Sequence, residues 1–130
     1  MLSSNQAVQD FFNGDEGLAK VIPGYLPREA QTEMALAVAQ GIDAEEHVIV
    51  EAGTGTGKTF AYLVPAILSG KKVIVSTGTK NLQDQLFNKD VPLLRKAMSK
   101  PFAAALLKGR ANYLCTYRLE LAIHSNLGFS

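Results

Sequence analysis

Residues 47–59 read His-Val-Ile-Val-Glu-Ala-Gly-Thr-Gly-Thr-Gly-Lys-Thr, and this stretch decides the predicted fold. Its β-branched run, 48–50, is typical of a strand buried on both faces of a parallel sheet. Three alternating glycines follow, and because glycine has no Cβ, the backbone there can aim successive N–H groups at one point. Helical spacing of apolar residues then begins, at Phe60, Leu63, Val64, Ile67 and Leu68. The order strand, glycine loop, helix predicts an α/β fold with a parallel sheet flanked by helices.

The loop matches the Walker A pattern except that its first position is alanine instead of glycine. Converging N–H groups and the positive end of a helix bind phosphates whatever that first residue is. The residues predicted to bind the nucleotide are Ala52, Gly53, Thr54, Gly55, Thr56, Gly57, Lys58 and Thr59. Lys58 supplies a charge for the β- and γ-phosphates and Thr59 a hydroxyl for Mg²⁺. The alternative, a glycine-rich turn that only happens to precede a helix, does not explain the Gly-Lys-Thr ending.

The length and composition are those of an ordinary globular chain. With 130 residues, 47% of them hydrophobic and none of them Trp, it forms one domain or part of one. The N-terminus lacks the basic start and apolar run of a signal peptide, and no segment approaches the roughly 20 apolar residues of a membrane span. We therefore expect a cytoplasmic protein with no membrane partner.

Charge is distributed unevenly along the chain. Residues 1–57 hold two basic and nine acidic residues, a net charge of −7, whereas residues 58–130 hold eleven basic and three acidic residues, a net charge of +8. A basic half that follows a nucleotide loop favours a surface for a polyanion such as nucleic acid. A solvated basic face with no partner explains the same numbers equally well.

Before the glycine loop, a helix is predicted to begin near Pro27 and to end at Gly41. Gln31 lies in its first turn, and a glutamine amide can read both N6 and N7 of adenine. Tyr25 is placed to lie against a purine face. For both residues the simpler interpretation is structural: an exposed polar residue at the helix start and a half-buried aromatic ring.

After the Walker helix, residues 73–75 predict a second buried strand. The turn that follows carries Ser76, Thr77 and Thr79, and it should lie at the same sheet edge as the glycine loop. Hydroxyls and free N–H groups at the next helix start suit a nucleic-acid phosphate, although ordinary N-capping explains them too. Residues 102–107 predict a third short strand.

Cys115 is the only cysteine. By composition it is most simply a reduced thiol in a cytosolic protein, because one thiolate holds neither zinc nor an iron–sulfur cluster alone. Neither histidine has metal-ligand spacing to it. The residues alone therefore predict no metal site beyond the Mg²⁺ ligand.

Four stretches of the chain, taken in order, resemble the amino-terminal part of a superfamily 2 iron–sulfur DNA helicase of the DinG/XPD type. They are residues 27–31, 51–59, 76–86 and 107–115. Within that type the resemblance is to the bacterial YoaA/DinG branch, and it implies a partial RecA-like P-loop domain. The stretch 76–86, Ser-Thr-Gly-Thr-Lys-Asn-Leu-Gln-Asp-Gln-Leu, indicates a helicase in addition to a nucleotide site. The segment 107–115, Leu-Lys-Gly-Arg-Ala-Asn-Tyr-Leu-Cys, narrows the resemblance to the iron–sulfur subgroup.

The resemblance implies roles for several residues. Gln31 becomes the adenine-reading residue, and Lys58 and Thr59 become catalytic residues that bind ATP and Mg²⁺. The implied nucleic-acid contacts are Thr77, Thr79 and Arg110. Cys115 becomes one of four ligands to a [4Fe–4S] cluster, present only in a longer chain. The implied partner is single-stranded or forked DNA.

The implied activity is ATP-dependent, 5′-to-3′ unwinding of DNA, associated with DNA repair. Such helicases also carry an Asp-Glu-Ala-His box, three more cluster cysteines and arginines of a second motor domain, none of which occurs in these 130 residues. We therefore expect the amino-terminal part of a longer chain, inactive by itself. The predicted divisions are an N-terminal extension (1–20), the first part of motor domain 1 (21–107) and the start of the cluster insertion (108–130).

Two other functions remain open. A stand-alone, non-catalytic P-loop module that binds nucleotide or a protein partner needs none of the missing parts. A small-molecule kinase would use the same glycine loop but leaves residues 76–86 unexplained. The helicase interpretation is the one that accounts for all four stretches.

Overall fold

The computed structural model describes residues 3–125. Within this range, seven α-helices follow one another: α1 Ser4–Asn13, α2 Leu18–Val21, α3 Glu29–Ala44, α4 Lys58–Leu68, α5 Lys80–Gln85, α6 Val91–Ala97 and α7 Thr116–His124. A π-helical turn, Leu86–Asp90, joins α5 to α6, and a 3₁₀ turn, Arg110–Asn112, precedes α7.

The core lies between helices. α3 and α4 pack most extensively against each other, α1 packs against both, and α2 packs on α6. Each contributes an apolar face, and the buried members of this core are Val8, Phe11, Phe12, Leu18, Ala35, Ala39, Ala61, Leu63, Val64, Leu94 and Ala97. Small residues on α3 and α4 let the two helices approach closely. The glycine loop lies between α3 and α4 along the chain. Its position is therefore set by the helix pair that packs most extensively among residues 3–125.

The N-terminal helix is part of this core. The Ser3 hydroxyl accepts a hydrogen bond from the Gln6 N–H at 3.2 Å, which caps the start of α1. At its other end, Phe11 and Phe12 are buried and meet edge to face, with ring centroids 6.0 Å apart. Residues 4–13 thus pack in the same core as α3 and α4. The division at residue 20 stays a prediction.

The predicted end of α3 at Gly41 is wrong, because the helix continues to Ala44 and ends with Glu45 in the left-handed conformation, φ 56°. Gly41 serves packing instead. A Cβ at this position would lie 2.2 Å from Cγ2 of Val48, so the missing side chain makes room for the start of the Walker segment against α3. Close packing, not helix termination, explains this glycine.

The helical stretch from residue 80 to residue 97 changes its hydrogen-bonding pattern in the middle. Pro92 has no N–H, and its ring would clash with the carbonyl of the residue four positions earlier in an α-helix. The Val91 N–H instead bonds to the Leu86 carbonyl, five residues back, which is the π-helical pattern. The α-helix therefore restarts at Val91, next to Pro92, after a π turn.

The predicted parallel sheet is not formed among residues 3–125: segments 48–50, 73–75 and 102–107 carry no strand pairing. A strand exists only when its backbone N–H and C=O groups meet those of a neighbour. The structure places no two of these segments in that register. The parallel sheet therefore stays a prediction.

The first two of these segments nevertheless show the alternation of a half-covered strand. Ile49 is 98% exposed and Ile74 is 92% exposed, whereas the valines on either side of each are roughly half as exposed. One side of each segment is therefore partly covered and the other side is bare. Exposed β-branched runs with unpaired backbone are sites of association.

Across residues 3–125, no helix combines the length and apolar character required to cross a lipid bilayer.

We expect the chain to self-associate through these bare segments. The mean mass from size-exclusion chromatography with light scattering should rise with protein concentration. The double variant Ile49→Lys and Ile74→Lys should keep the mass nearer that of a monomer, because charge at an unpaired strand opposes pairing. Ile123→Lys, on the exposed face of α7, is the matched control. A constant monomer mass for the unaltered chain would contradict the expectation.

Candidate functional site

The glycine loop lies between the segment that follows α3 and the start of α4. Gly55 and Gly57 both have positive φ, 80° and 78°, which an L side chain rarely adopts. α4 begins at Lys58, directly after the second of these glycines, and no side chain caps it. Its first backbone hydrogen bond runs from the Ala61 N–H to the Gly57 carbonyl, 3.2 Å. The N–H groups of Lys58, Thr59 and Phe60 are thus left free at the positive end of the helix.

Four carbonyl groups of the loop are held by side chains. Lys58 Nζ donates to the Ala52 carbonyl at 2.8 Å, and Thr56 Oγ1 donates to the Gly53 carbonyl at 2.6 Å. From the first turn of α3 and the residue before it, Gln31 Nε2 donates to the Gly57 carbonyl at 3.1 Å and an Arg28 N–H donates to the Gly55 carbonyl. The loop is therefore fixed both from within and from α3.

This arrangement orients the amides of the loop. A trans peptide unit is planar, with its N–H pointing away from its C=O. Tethering a carbonyl therefore turns the N–H of the following residue to the opposite side. In the described chain, the amides of residues 53–59 have no protein acceptor. A group of free N–H donors beside one lysine is the chemistry that binds an anion such as a phosphate chain.

The loop fits the tail of a triphosphate. No atom lies within 4 Å of where a Cβ would stand at Gly53 or Gly55, so the backbone is open to a close ligand. The Lys58 ammonium lies at the loop itself, satisfied by one carbonyl that a phosphate oxygen can replace. Thr59 is partly exposed at the start of α4, where its hydroxyl can reach a cation held by the phosphates.

A cavity of about 350 Å³ opens on the α3 side of the loop, lined by Met34, Ala37, Val50 and their neighbours. Its wall also includes Glu33 and Glu51. Two carboxylates repel phosphate, so this cavity does not suit an anion. The loop amides are therefore the candidate anion site.

The structure assigns Gln31 a position different from that of a solvent-facing adenine reader. It is only 4% exposed, and its amide nitrogen is committed to the Gly57 carbonyl. Arg28, three residues earlier, performs the equivalent task at Gly55, a role that the sequence reasoning missed. The sequence feature that could have indicated this role is the i, i+3 spacing of Arg28 and Gln31, which puts both side chains on one face at the start of α3.

Tyr25 also has a structural partner. Its hydroxyl donates to the Phe12 carbonyl at 2.8 Å and lies 3.4 Å from Gln31 Oε1. Burial raises the pKa of the Tyr25 phenol, and the positive charge of Arg28 lowers it in part. The half-buried interpretation of this ring agrees with the structure, and the ring ties α1 to the residues that hold the loop.

The residues predicted to contact nucleic acid lie on two linked segments. Thr79 caps α5 by accepting a hydrogen bond from the Leu82 N–H at 3.2 Å, and Thr77 Oγ1 lies 3.4 Å from the Thr79 carbonyl. Arg110 is exposed in the 3₁₀ turn. An ion pair between Lys108 and Asp84 at 2.9 Å connects the two segments. Ordinary N-capping by Thr79 is therefore present, and a phosphate contact stays a prediction.

Cys115 is exposed and unpaired just before α7. Among residues 3–125, no three His, Cys, Asp or Glu side chains come together as a metal site. One thiol does not fit an iron–sulfur cluster, which needs four ligands. Residues 3–125 therefore contain no set of side chains that could hold the predicted cluster by themselves, and the cluster stays a prediction.

Comparison with known proteins gives a family match over residues 28–113, to the DEAD/DEAH box helicase family. The ATP-dependent DNA helicase YoaA of Escherichia coli K12 is 58% identical over 111 residues, 85% of this chain and 18% of that protein. YoaA of Haemophilus influenzae is 53% identical over 116 residues, 89% of this chain and 18% of that protein. A protein of Bacillus subtilis 168 named 3′-5′ exonuclease DinG is 40% identical over 114 residues, 85% of this chain and 12% of that protein.

The chain thus spans less than a fifth of the length of these three relatives. No solved structure matches it. The identities place the similarity on the YoaA and DinG branch, as the sequence predicts.

Gly57→Ala should destabilise the chain. Alanine in the left-handed region costs about 1–2 kcal/mol, and its Cβ would lie 2.1 Å from Gln31 Nε2. Gly53→Ala is the matched control, because nothing lies near its Cβ, and we expect a change within about 0.5 kcal/mol. Urea unfolding followed by circular dichroism measures both. Equal effects of the two substitutions would contradict the geometry of the loop.

Proposed function

We propose a function from one premise: this chain belongs to the DEAD/DEAH box helicase family. The family implies a RecA-like fold for residues 28–113, and we propose that the finer feature, a parallel sheet containing segments 48–50 and 73–75, forms in the working protein. On this basis the chain is the ATP-binding part of an ATP-dependent DNA helicase. The relatives named YoaA are called ATP-dependent DNA helicases, which supports the choice of DNA.

One observation carries the proposal: four tethered carbonyls leave the amides of residues 53–59 free beside Lys58. These amides would hold the phosphate oxygens of ATP. Lys58 would exchange the Ala52 carbonyl for the β- and γ-phosphates, a contact between opposite charges and so stronger than the one it replaces. Thr59 would offer its hydroxyl to Mg²⁺, which supplies neutralisation of phosphate charge when bound.

In the whole protein, ATP hydrolysis would drive movement along single-stranded DNA and unwinding of the duplex, in the 5′-to-3′ direction. Thr77, Thr79 and Arg110 are the proposed DNA contacts, supported by their place in the basic half of the chain, net charge +8. Hydroxyls and backbone amides hold phosphates without reading the base sequence, as movement along any strand requires.

We also propose that Cys115 is one of four ligands of a [4Fe–4S] cluster. Its exposure permits this, since the thiol is not enclosed by the helical core. The other three thiolates are not among these 130 residues, where Cys115 is the single cysteine. In a longer chain that contains those cysteines, the Cys115→Ser substitution should remove the cluster's absorption at roughly 400 nm.

Lys58→Ala should weaken binding of a fluorescent ATP analogue by about tenfold or more, because a charge-assisted hydrogen bond contributes about 1.5–3 kcal/mol. Fluorescence anisotropy with this chain measures the affinity. Lys100→Ala removes an equal charge from an exposed loop and should leave the affinity unchanged. If both variants bind like the unaltered chain, the loop is not a nucleotide site.

Gln31→Ala separates two roles of one residue. If the amide holds the loop, as its bond to Gly57 indicates, competition assays should show ATP and GTP losing affinity by the same factor. If the amide reads adenine, the loss should fall on ATP alone. Arg28→Ala, which removes the parallel tether at Gly55, should behave as the loop-holding role predicts.

A further inference from the structure

The segment 102–108 is attached at both ends to the helical stretch that contains α5 and α6. At its start, the guanidinium of Arg95 on α6 lies 5.7 Å from the centre of the Phe102 ring, a cation–π contact. At its end, Gln83 Nε2 on α5 donates a hydrogen bond to the Leu107 carbonyl at 3.0 Å. The segment therefore runs back along the helices, from α6 to α5.

The lengths of the two runs agree with this path. The helical run from Gln83 to Arg95 covers about 18 Å, at about 1.5 Å per residue. An extended run from Phe102 to Leu107 covers about 17 Å, at about 3.3 Å per residue. The even-numbered residues from 102 to 108 are partly buried, and the odd-numbered residues between them are exposed. One face of an extended segment therefore packs on the helices, and its end is held at α5.

An ion pair lies next to the last of these contacts. Lys108 Nζ is 2.9 Å from Asp84 Oδ1, so adjacent residues of α5 hold adjacent residues of the segment. We call Gln83, Asp84, Leu107 and Lys108 the clasp. The ion pair is partly exposed, and such pairs contribute little to folding stability. Its main effect is therefore to fix where the segment ends.

The turn that follows the clasp is fixed by its own hydrogen bonds. Asn112 Nδ2 donates to the Gly109 carbonyl at 3.1 Å, and the Tyr113 N–H donates to the Arg110 carbonyl at 3.1 Å. The Lys108 N–H donates to the Tyr113 hydroxyl at 3.4 Å, which joins the turn to the clasp. The position of the exposed Arg110 thus depends on where α5 holds the chain.

We propose that Gln83 and Asp84 are positioning residues that hold Arg110 for contact with a phosphate of single-stranded DNA. This inference rests on the proposed function, because it assumes that Arg110 contacts DNA. An arginine on a free loop must be ordered when the strand binds, whereas a tethered turn avoids that entropic cost. The clasp also connects Arg110 to the helix that Thr79 caps, so two proposed DNA contacts lie on connected segments.

Asp84 allows a test in which the direction of the effect decides. It is one of three acidic residues after Lys58, so Asp84→Asn makes a basic region more basic. If Asp84 only neutralises Lys108, this substitution should tighten binding to a polyanion. If the clasp positions Arg110, the substitution should weaken binding in spite of the added positive charge.

The measurement is the affinity of this chain for a fluorescein-labelled oligothymidylate, by fluorescence anisotropy at one fixed salt concentration. Gln83→Ala should weaken binding about two- to tenfold, the effect of losing one hydrogen bond, and Asp84→Asn should also weaken it. Arg110→Ala should weaken binding as well. Adding Gln83→Ala to Arg110→Ala should cause no further loss, because the group that Gln83 positions is then absent.

The matched controls are Gln85→Ala on the exposed side of α5 and Glu120→Gln on α7, and neither should weaken binding. Circular dichroism melts identify a variant that fails to fold, in which case the other clasp variant decides. Tighter binding by Asp84→Asn, or additive losses from Gln83→Ala and Arg110→Ala, would overturn this inference and leave the proposed function intact. Absence of strand binding by the unaltered chain would overturn the proposed DNA contacts together with the inference.

Discussion

The tethering of the glycine-loop carbonyls by α3 is the constraint on which the rest of the site depends. Arg28 and Gln31 hold the Gly55 and Gly57 carbonyls, and the planarity of the peptide unit converts each of these bonds into the direction of the next N–H. Two glycines in the left-handed region make the path possible. The candidate anion site is thus preorganised by neutral and cationic side chains that need not touch a ligand. Such preorganisation lowers the entropic cost of ordering a loop at the moment of binding.

The same tethers join the N-terminal helix to the loop. Tyr25 bonds to the last turn of α1 and lies beside Gln31, so the buried pair Phe11 and Phe12 supports the residue that holds Gly57. Tyr25 therefore connects the helical core to the candidate anion site through its contacts with Phe12 and Gln31. By contrast, the β-branched segments around Ile49 and Ile74 pack on one side only. The helices bury their apolar faces against one another, whereas the strands of a parallel sheet need a neighbouring strand and cover on both faces. The contrast explains why helices form here while strand pairing does not.

Pro92 accompanies a change in the hydrogen-bonding pattern of the helical turn that precedes it. Its missing backbone donor accompanies a π turn, and that turn packs against α4. Burial raises the pKa of both the Tyr62 phenol on α4 and the Asp90 carboxyl in the turn.

The sequence by itself determined the local features. Glycines at alternate positions, a lysine and a threonine at a helix start, and apolar residues at helical spacing depend only on neighbouring residues. The helix α4 and the start of α3 appear where these features predict. The family likewise followed from residues in the chain and was confirmed. Only the tertiary structure showed that Gln31 faces a carbonyl and that Gly41 makes room for Val48. These depend on how separate helices pack, and residue spacing along one chain carries no information about which groups meet across a helix interface.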